Sequence, residues 1–406
     1  MDNEKKIIVN IVNRNYPPSK GVTGEAAYEL VVYLCEKGFE VNVIHVDILY
    51  DGGGNEISPA SNVFKVGTFY NGKNKILRLM ANLVEGYLLI RTSKKHPCDV
   101  TICMTDPPLI NLWASLLLRK REWMLWTMDL YPEAFVSSRL ISPNNFLYKK
   151  INKLLLRGAP QHIISLGTVQ KKYLQEKYKD RVTSYSLLPC GIYNAKDKID
   201  TGIPRWANDR NKVYLGYCGN LGEAHSLEFL YAIVNNLDAD KFKLILAPYG
   251  SKSLLLKKYA QDKRGIEIVE SVQRSHLRFI DIHLASLSNE WTNVCVPSKT
   301  VSSVCSGSAF LYFGDEHSDN WILLQDAGWL LPWNENVEDS VRKFFSAFQY
   351  EELVQKKGAA RKIAEKLNFE KTKTFHEIAD KISELNNIKR GFTGNINRRS
   401  RNPAAG

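Results

Sequence analysis

Short apolar runs alternate with helical stretches along almost the whole chain, and this alternation most constrains the fold. The runs are nearly continuous in apolar residues, which is typical of parallel strands buried on both faces. The first unit illustrates the pattern. A strand-like run at 7–12 precedes a helical stretch at 23–37, where Ala27, Leu30, Val31 and Leu34 recur at three- and four-residue spacing. The sequence therefore predicts an α/β fold with parallel sheets and right-handed crossovers.

The pattern occurs twice. In the first half it predicts strands at 7–12, 41–46, 100–104, 123–128, 162–165 and 185–189, and helices at 23–37, 74–92, 109–120, 145–157 and 168–178. In the second half it predicts strands at 213–218, 242–247, 266–269, 282–287 and 309–313. Helices are expected there at 226–236, 251–262, 299–306 and 319–326, with more helical pattern from 338 onward.

These two halves predict two Rossmann-like domains, as a chain of 406 residues suggests. The first domain covers 1–193 and the second 213–369. The charged segment 194–212, which lacks an apolar period, is predicted to link them. A last helix at 370–388 is expected to pack back on the first domain, before a basic tail at 389–406 that is expected to be disordered without an anionic partner.

The composition favours a cytoplasmic protein. Its 44% hydrophobic and 24% charged residues are typical of globular domains. The longest apolar stretch, at 109–118, is shorter than the about 20 residues of a membrane-spanning helix. The N-terminus does not resemble a signal peptide. Seven scattered cysteines show neither metal-ligand nor disulfide spacing, so we expect them to be reduced.

The net charge of +12 indicates an anionic partner. Residues 139–157 carry five basic and no acidic side chains on an amphipathic helical pattern, and 73–95 is similar. Such helices either cover the sheet as ordinary surface helices or bind the anionic inner face of the cell membrane. Nucleic acid is not an expected partner, because no recognised binding motif accompanies the charge.

Three turns and one helix start could form a site. Gly21, Thr23 and Gly24 follow the first strand, and the turn Gly219, Asn220, Gly222, His225 follows the first strand of the second half. Ligands bind beyond the carboxyl ends of parallel strands, and glycine lets the backbone approach a phosphate or sugar. A surface turn is the alternative for each. Thr23 is also the expected N-cap of its helix.

Ser298 and Lys299 open the predicted helix at 299–306. A helix N-terminus, a hydroxyl and an ammonium together suit a pyrophosphate without a metal. Asp129, after the strand at 123–128, could contact a sugar hydroxyl or cap a helix.

Together these segments resemble glycosyltransferase family 4, of the GT-B fold, up to about residue 388. The resemblance rests on YPPSKGVTGEAAYELVVYLCEKGFEVNVI (16–44), TDPP (105–108), DLYPE (129–133), YCGNLGEAH (217–225) and VPSK (296–299). Within that family, the chain is similar above all to bacterial members that build surface polysaccharides.

The resemblance implies a retaining transferase without cofactor or metal, with a nucleoside-diphosphate sugar, expected to be a UDP-sugar, as donor. Lys299 and Ser298 would contact the diphosphate with the backbone at 219–222, and Asp129 would lie near the transferred sugar. The acceptor, a glycan expected to be lipid-linked, would bind the first domain at Gly21 to Gly24.

The sequence departs from the family pattern where a pair of glutamates is usual. Val294 and Ser302 stand at the matching positions, and Glu316, Asp315 or Glu290 is the expected substitute for the carboxylate that holds the ribose. Met128 replaces a common histidine. These departures leave two alternatives: a non-catalytic GT-B-fold binding protein, or a sugar-nucleotide 2-epimerase.

Overall fold

Two parallel sheets form the core of the protein. The computed structural model describes residues 6–18, 21–48, 58–72, 74–194, 202–209 and 211–399, without the side chains of Lys75 and 389–399. The first sheet has the strand order β3-β2-β1-β4-β5-β6-β7, and the second β10-β9-β8-β11-β12-β13. Every strand pairing in both sheets is parallel, which confirms the predicted fold class.

In the first domain the strands are β1 (Ile8–Val12), β2 (Glu40–Val46), β3 (Asn62–Val66), β4 (Val100–Met104), β5 (Trp123–Trp126), β6 (His162–Ser165) and β7 (Tyr185–Leu187). The helices are α1 (Val22–Glu36), α2 (Lys75–Lys95), α3 (Ile110–Leu117), α4 (Glu133–Ser137), α5 (Phe146–Arg157) and α6 (Thr168–Tyr178).

In the second domain the strands are β8 (Val213–Asn220), β9 (Phe242–Tyr249), β10 (Ile266–Ile268), β11 (Ile282–Ser286), β12 (Ala309–Gly314) and β13 (Gly328–Pro332). The helices are α7 (Leu227–Asn236), α8 (Ser253–Ala260), α9 (Ser298–Cys305), α10 (Asp319–Leu324), α11 (Val337–Ala347) and α12 (Tyr350–Arg399).

Two strands escaped the sequence prediction, and both lie at sheet edges. β3 pairs only with β2 and most of its residues are exposed, so its polar residues hide the apolar pattern. β13 pairs only with β12, and its sequence GWLLP contains glycine and proline, which are rare in central strands. An edge strand buries less surface, so its pattern is weaker.

In each sheet the order in which successive strands are added reverses once, between β1 and β4 and between β8 and β11. At such a switch the loops diverge and leave a crevice at the carboxyl ends of the strands. The turns at Gly21–Gly24 and Gly219–His225 follow β1 and β8, α9 with Lys299 follows β11, and Asp129 follows β5, the neighbour of β4. The fold therefore brings them to the two crevices.

The last helix is longer than expected, running from Tyr350 through 370–388 and into the basic segment as far as Arg399. Its residues Phe375, Ile378, Ala379, Ile382 and Leu385 pack in the same core cluster as β1 and α1.

The segment at 400–406 lies outside the described residues, as does 195–201 of the linker. Trp206, in the described part of that linker, is buried against Tyr214 and Ile245 of the second domain.

Polar contacts join the two domains. The backbone N–H of Leu130 donates to the carbonyl of Val294 at 3.0 Å. The Asp319 carboxylate accepts from the backbone N–H groups of Val169 (2.8 Å) and Gln170 (2.9 Å), so a side chain of the second domain caps α6 of the first. Among the described residues, no helix is both long and apolar enough to cross a membrane.

Candidate functional site

Lys299 lies at the centre of the crevice of the second domain, in the first turn of α9. Its Nζ donates to the carbonyl of Asn220 at 2.6 Å and lies 3.0 Å from Nε2 of His225. The ammonium also lies 5.0 Å from the centre of the Tyr217 ring. Burial lowers the pKa of Lys299 to about 8, although the nearby thiols of Cys295 and Cys218 act in the opposite direction. An anion here would restore the full charge.

His225 is oriented by the neighbouring strand. Its Nδ1 lies 2.6 Å from the carbonyl of Ser286 at the end of β11, and the residue is 8% exposed. Burial, with the charges of Lys299 and Lys252 adding to it, lowers the pKa of His225 to about 3, while the bond to Ser286 opposes the shift. The ring is therefore neutral at pH 7. Since Nδ1 faces a carbonyl it carries the proton, and Nε2 accepts from Lys299.

The turn after β8 approaches this lysine closely. Gly219 has φ +128°, and a Cβ there would lie 3.0 Å from Cε of Lys299. A Cβ on Gly250 would lie 2.1 Å from Oδ1 of Asn220, so the neighbouring turn also requires glycine. Gly222 lies in the turn after β8, next to Gly219 and Asn220 at the end of that strand. The structure thus brings together six residues selected from the sequence: Gly219, Asn220, Gly222, His225, Ser298 and Lys299.

Ser298 begins α9, directly after Pro297. No side chain caps this helix start. Thr300 and Asn320 bond instead to the carbonyl of Pro297, which fixes the approach of the chain to the helix. The first N–H groups of a helix lack intrahelical partners and carry partial positive charge. Together with the ammonium of Lys299 they can hold a diphosphate.

Asp129 faces this site from the first domain. The Cys295 thiol donates a hydrogen bond to its carboxylate, and the charges of both Asp129 and Lys299 act on that thiol. Burial raises the pKa of Asp129, and the thiol bond partly offsets the rise. Burial also raises the pKa of Cys295 well above its ordinary value, so the thiol keeps its proton. Cys295 therefore lies between the acid of one domain and the cation of the other.

The turn after β1 forms the opposite wall. Gly21 precedes α1, and a Cβ on Gly24 would lie 3.1 Å from the backbone of Asn15. The prediction that Thr23 caps α1 is wrong, because the helix begins at Val22. The Thr23 hydroxyl instead accepts from Asn13 at 3.4 Å. Asn15 Nδ2 donates to Oδ2 of Asp106 at 2.7 Å, which connects this turn to the end of β4.

The positions that differ from the resembling family have structural roles here. Val294 is buried and bonds through its carbonyl to Leu130. Ser302 Oγ donates to the carbonyl of Gly191 at 3.1 Å, where the first domain passes into the linker. Glu316 is exposed in the turn after β12, 3.9 Å from His317. Glu290 forms a salt bridge with Arg139 at 2.8 Å. Each glutamate thus has its own neighbour, and neither contacts Lys299 in the described part of the chain.

Sequence reasoning missed Cys295, Asp106 and Asn15. Asp106 belongs to the TDPP segment and follows a central strand, so its place in the fold was a usable signal. Cys295 carried no signal, since only the contact between the domains gives it neighbours. Among the described residues, no group of three or more His, Cys, Asp or Glu side chains is arranged to hold a metal ion.

At the level of sequence, no family model and no curated protein matches the chain. The structure is similar to WaaG, a glycosyltransferase involved in lipopolysaccharide biosynthesis, with a TM-score of 0.65 and 14% identity over 93% of this chain and 99% of that one. It is also similar to a glycosyltransferase from Rickettsia africae, with a TM-score of 0.61 and 16% identity over 94% and 99%.

HepE from Anabaena, solved in complex with UDP and glucose, has a TM-score of 0.60 and 11% identity over 93% of this chain and all (100%) of that one. At identities this low, the structural similarity establishes a shared architecture and nothing finer. The chain therefore has the two-domain Rossmann-like architecture of GT-B glycosyltransferases.

Proposed function

We propose that this protein is a glycosyltransferase that moves a sugar from a nucleoside-diphosphate sugar to a glycan acceptor. The observation that carries the proposal is the position of Lys299. Its ammonium lies at the start of α9, beside the glycine turn after β8, and faces Asp129 through Cys295. A diphosphate leaving group develops negative charge as the bond between the anomeric carbon and its phosphate oxygen breaks, and a fixed cation stabilises that charge.

Lys299 can supply this charge without a metal ion, so we propose metal-independent transfer; retention at the anomeric carbon is proposed on the family resemblance alone. Two of its three N–H groups bond to Asn220 and His225, which leaves one for a phosphate oxygen. The neutral imidazole of His225 accepts from the ammonium and so orients it without adding charge. A UDP-sugar is the proposed donor.

A thermal-shift panel of UDP, GDP, dTDP and CMP tests the donor site. A nucleotide at 100 times its dissociation constant stabilises the folded protein by about 2.7 kcal/mol. We expect UDP to raise the melting temperature most. A melting temperature that no nucleotide raises would favour the alternative, a non-catalytic GT-B-fold binding protein.

The raised pKa values of Asp106 and Asp129 favour a second candidate, a sugar-nucleotide 2-epimerase, which needs acid and base groups in the crevice. NMR of a UDP-sugar incubated with the protein distinguishes the two. Release of a 2-epimerised sugar without any acceptor would favour the epimerase over the transferase.

An exposed apolar surface on the first domain supports a lipid-linked acceptor and an anionic membrane as partners. α3 contacts both α2 and α5, so the three helices lie side by side. Near the start of α2, Ile76 is 74% and Met80 51% exposed, and at the start of α5, Phe146 is 77% exposed. Both helices follow a strand of the parallel sheet, α2 after β3 and α5 after β5, so both start on the side of its carboxyl edge.

Basic side chains accompany these apolar ones. Lys149, Lys150 and Lys153 are exposed on α5, while Ile151 and Leu155 of the same helix pack inward. An apolar surface with a basic border suits the anionic cytoplasmic leaflet, where each basic residue adds about 1 kcal/mol. We therefore propose peripheral binding to the inner face of the membrane, through α2 and α5.

Vesicle flotation tests this surface. One set of vesicles is phosphatidylcholine alone, and the other contains about 30 mole per cent phosphatidylglycerol, which gives a surface potential on the order of tens of millivolts. Phe146→Glu should lower binding to the anionic vesicles at least tenfold. Phe369→Glu is the matched control, since Phe369 is 73% exposed on α12. Equal binding by both variants would contradict the assigned surface.

A further inference from the structure

The polar wall after β1 contains a group that the diphosphate site does not use. Asp106, at the carboxyl end of β4, accepts from Asn15 Nδ2 at 2.7 Å through Oδ2. The backbone N–H of Arg14 donates to the carbonyl of Asp106 at 2.8 Å. Two bonds from the β1 turn thus position this aspartate at the switch between β1 and β4.

The turn itself is held rigidly. Nε of Arg14 donates to Oε2 of Glu85 at 2.8 Å, and the side chains of the pair are 6% and 1% exposed. Asn13 Nδ2 donates to the carbonyl of Asn15 at 2.7 Å. The close approach of Gly24 leaves no room for a side chain between α1 and Asn15. Such support holds a side chain in one orientation before a ligand arrives.

The unpaired polar atoms of this wall are all acceptors. Oδ1 of Asn13, Oδ1 of Asn15 and Oε1 of Glu85 are buried without a hydrogen-bond partner, and Asn13 is only 1% exposed. These three oxygens have almost no solvent-accessible surface, so a ligand cannot reach them directly. Asp106, which is partly exposed, is the acceptor of this wall that a ligand can reach, and a sugar brings hydroxyl donors to it.

Asp106 itself is only partly buried, and its second carboxylate oxygen has no recorded partner. Burial raises the pKa of Asp106 to about 6, Arg14 lowers it, and Asp129 raises it further. The carboxylate is therefore ionised at pH 7 and accepts hydrogen bonds.

We propose that Asp106, held by Asn15, binds a hydroxyl group of the sugar acceptor. This inference rests on the proposed function and extends it by naming the residue that receives the acceptor. The hydroxyl would donate to the free oxygen of Asp106, which Asn15 holds in place through the other carboxylate oxygen. Lys299 holds the donor on the other side, so the two substrates depend on different domains.

Saturation-transfer NMR with methyl glycosides of glucose, galactose, mannose and N-acetylglucosamine, in the presence of UDP, tests the proposal. Asp106→Asn is nearly isosteric and keeps an oxygen for Asn15. Asp180→Asn, at an exposed site of the same domain, is the control. We expect the wild type and the control to bind at least one glycoside, and Asp106→Asn to bind it at least tenfold more weakly.

Two further readouts separate a binding role from a structural one. The UDP-induced rise in melting temperature should be equal in all three proteins, since UDP binds at Lys299. Glycoside affinity of the wild type should fall as the pH drops through about 6, while Asp106→Asn should show no such dependence.

Glycoside binding by Asp106→Asn within twofold of the wild type, or no binding to the wild type, would overturn the acceptor site. A loss of the UDP response in Asp106→Asn would overturn it too, because the effect would then reach the donor. Asp106-dependent glycoside binding with no nucleotide response in any protein would instead overturn the proposed transferase and keep the sugar site.

Discussion

Lys299 Nζ and His225 Nε2 lie 3.0 Å apart, with the far nitrogen of the imidazole bonded to the Ser286 carbonyl at 2.6 Å. The ring is neutral, so this contact is a hydrogen bond from the ammonium and not a repulsion between two cations. It connects α9 to the ends of β8 and β11. The arrangement positions one positive charge where the strands and the helix start converge.

Lys299→Ala should abolish the stabilisation by UDP and lower transfer by roughly 100-fold or more, as loss of a charge-stabilising group in other enzymes does. Thermal shift and transfer kinetics measure the two effects. Lys241→Ala, at a side chain 76% exposed, is the control. Full activity of Lys299→Ala in a folded protein would remove the assigned diphosphate site.

UDP affinity should decrease as the pH rises. The pKa of Lys299 is about 8 in the free protein, so the ammonium loses its proton between about pH 7 and 9, and with it the attraction for the diphosphate. His225, with a pKa of about 3, does not titrate in this range. Calorimetric titrations from pH 6.5 to about 9.5, spanning the pKa of Lys299 on both sides, measure the effect. Lys299→Met should bind weakly and equally at every pH.

Gly191→Ala should destabilise the protein. Gly191 has φ +90°, and an added Cβ would lie 2.8 Å from both the Ser298 carbonyl and the Ser302 hydroxyl. The backbone strain alone costs about 1–3 kcal/mol. Gly358→Ala is an informative control, because Gly358 lies inside α12 with no atom within 4 Å of an added Cβ. Removal of a helix glycine should stabilise by about 0.5–1 kcal/mol. Chemical denaturation measures both signs.

Asp319→Ala should loosen the two domains. The carboxylate accepts from the N–H groups of Val169 and Gln170 and from the hydroxyl of Thr168, and Gly167 leaves the space that it occupies. Loss of a helix cap costs about 0.5–2 kcal/mol. A lower melting temperature and a larger radius of gyration by small-angle scattering are expected. Asp326→Ala, at an exposed neighbouring residue, should change neither, and equal effects would argue against the cap.

The elements of both sheets were predictable wherever strands lie in the sheet centre. β4 and β6, for example, have the bounds that their apolar runs predict. The edge strands β7 and β10 were predicted as well, but β3 and β13 were not, because these two interrupt the apolar run with residues such as Lys65 or Pro332. The positions of the candidate site residues in the fold were predictable in the same way. Gly219, Lys299 and Asp129 follow central strands or open a helix, so topology alone carries them to the crevices.

Cys295 and Ser302 show which contacts could not be predicted from the sequence. Their types and spacing give no role, yet one donates to Asp129 and the other to Gly191 across the domain boundary. Hydrophobic period and turn chemistry act over short distances, so the amino-acid pattern predicts the central strands of both sheets, their order along the chain and the turns at the switch points. Which groups meet between the domains depends on how the folded domains pack. Those contacts join residues more than 100 positions apart, such as Gly191 with Ser302 and Gln170 with Asp319, and no local pattern encodes them.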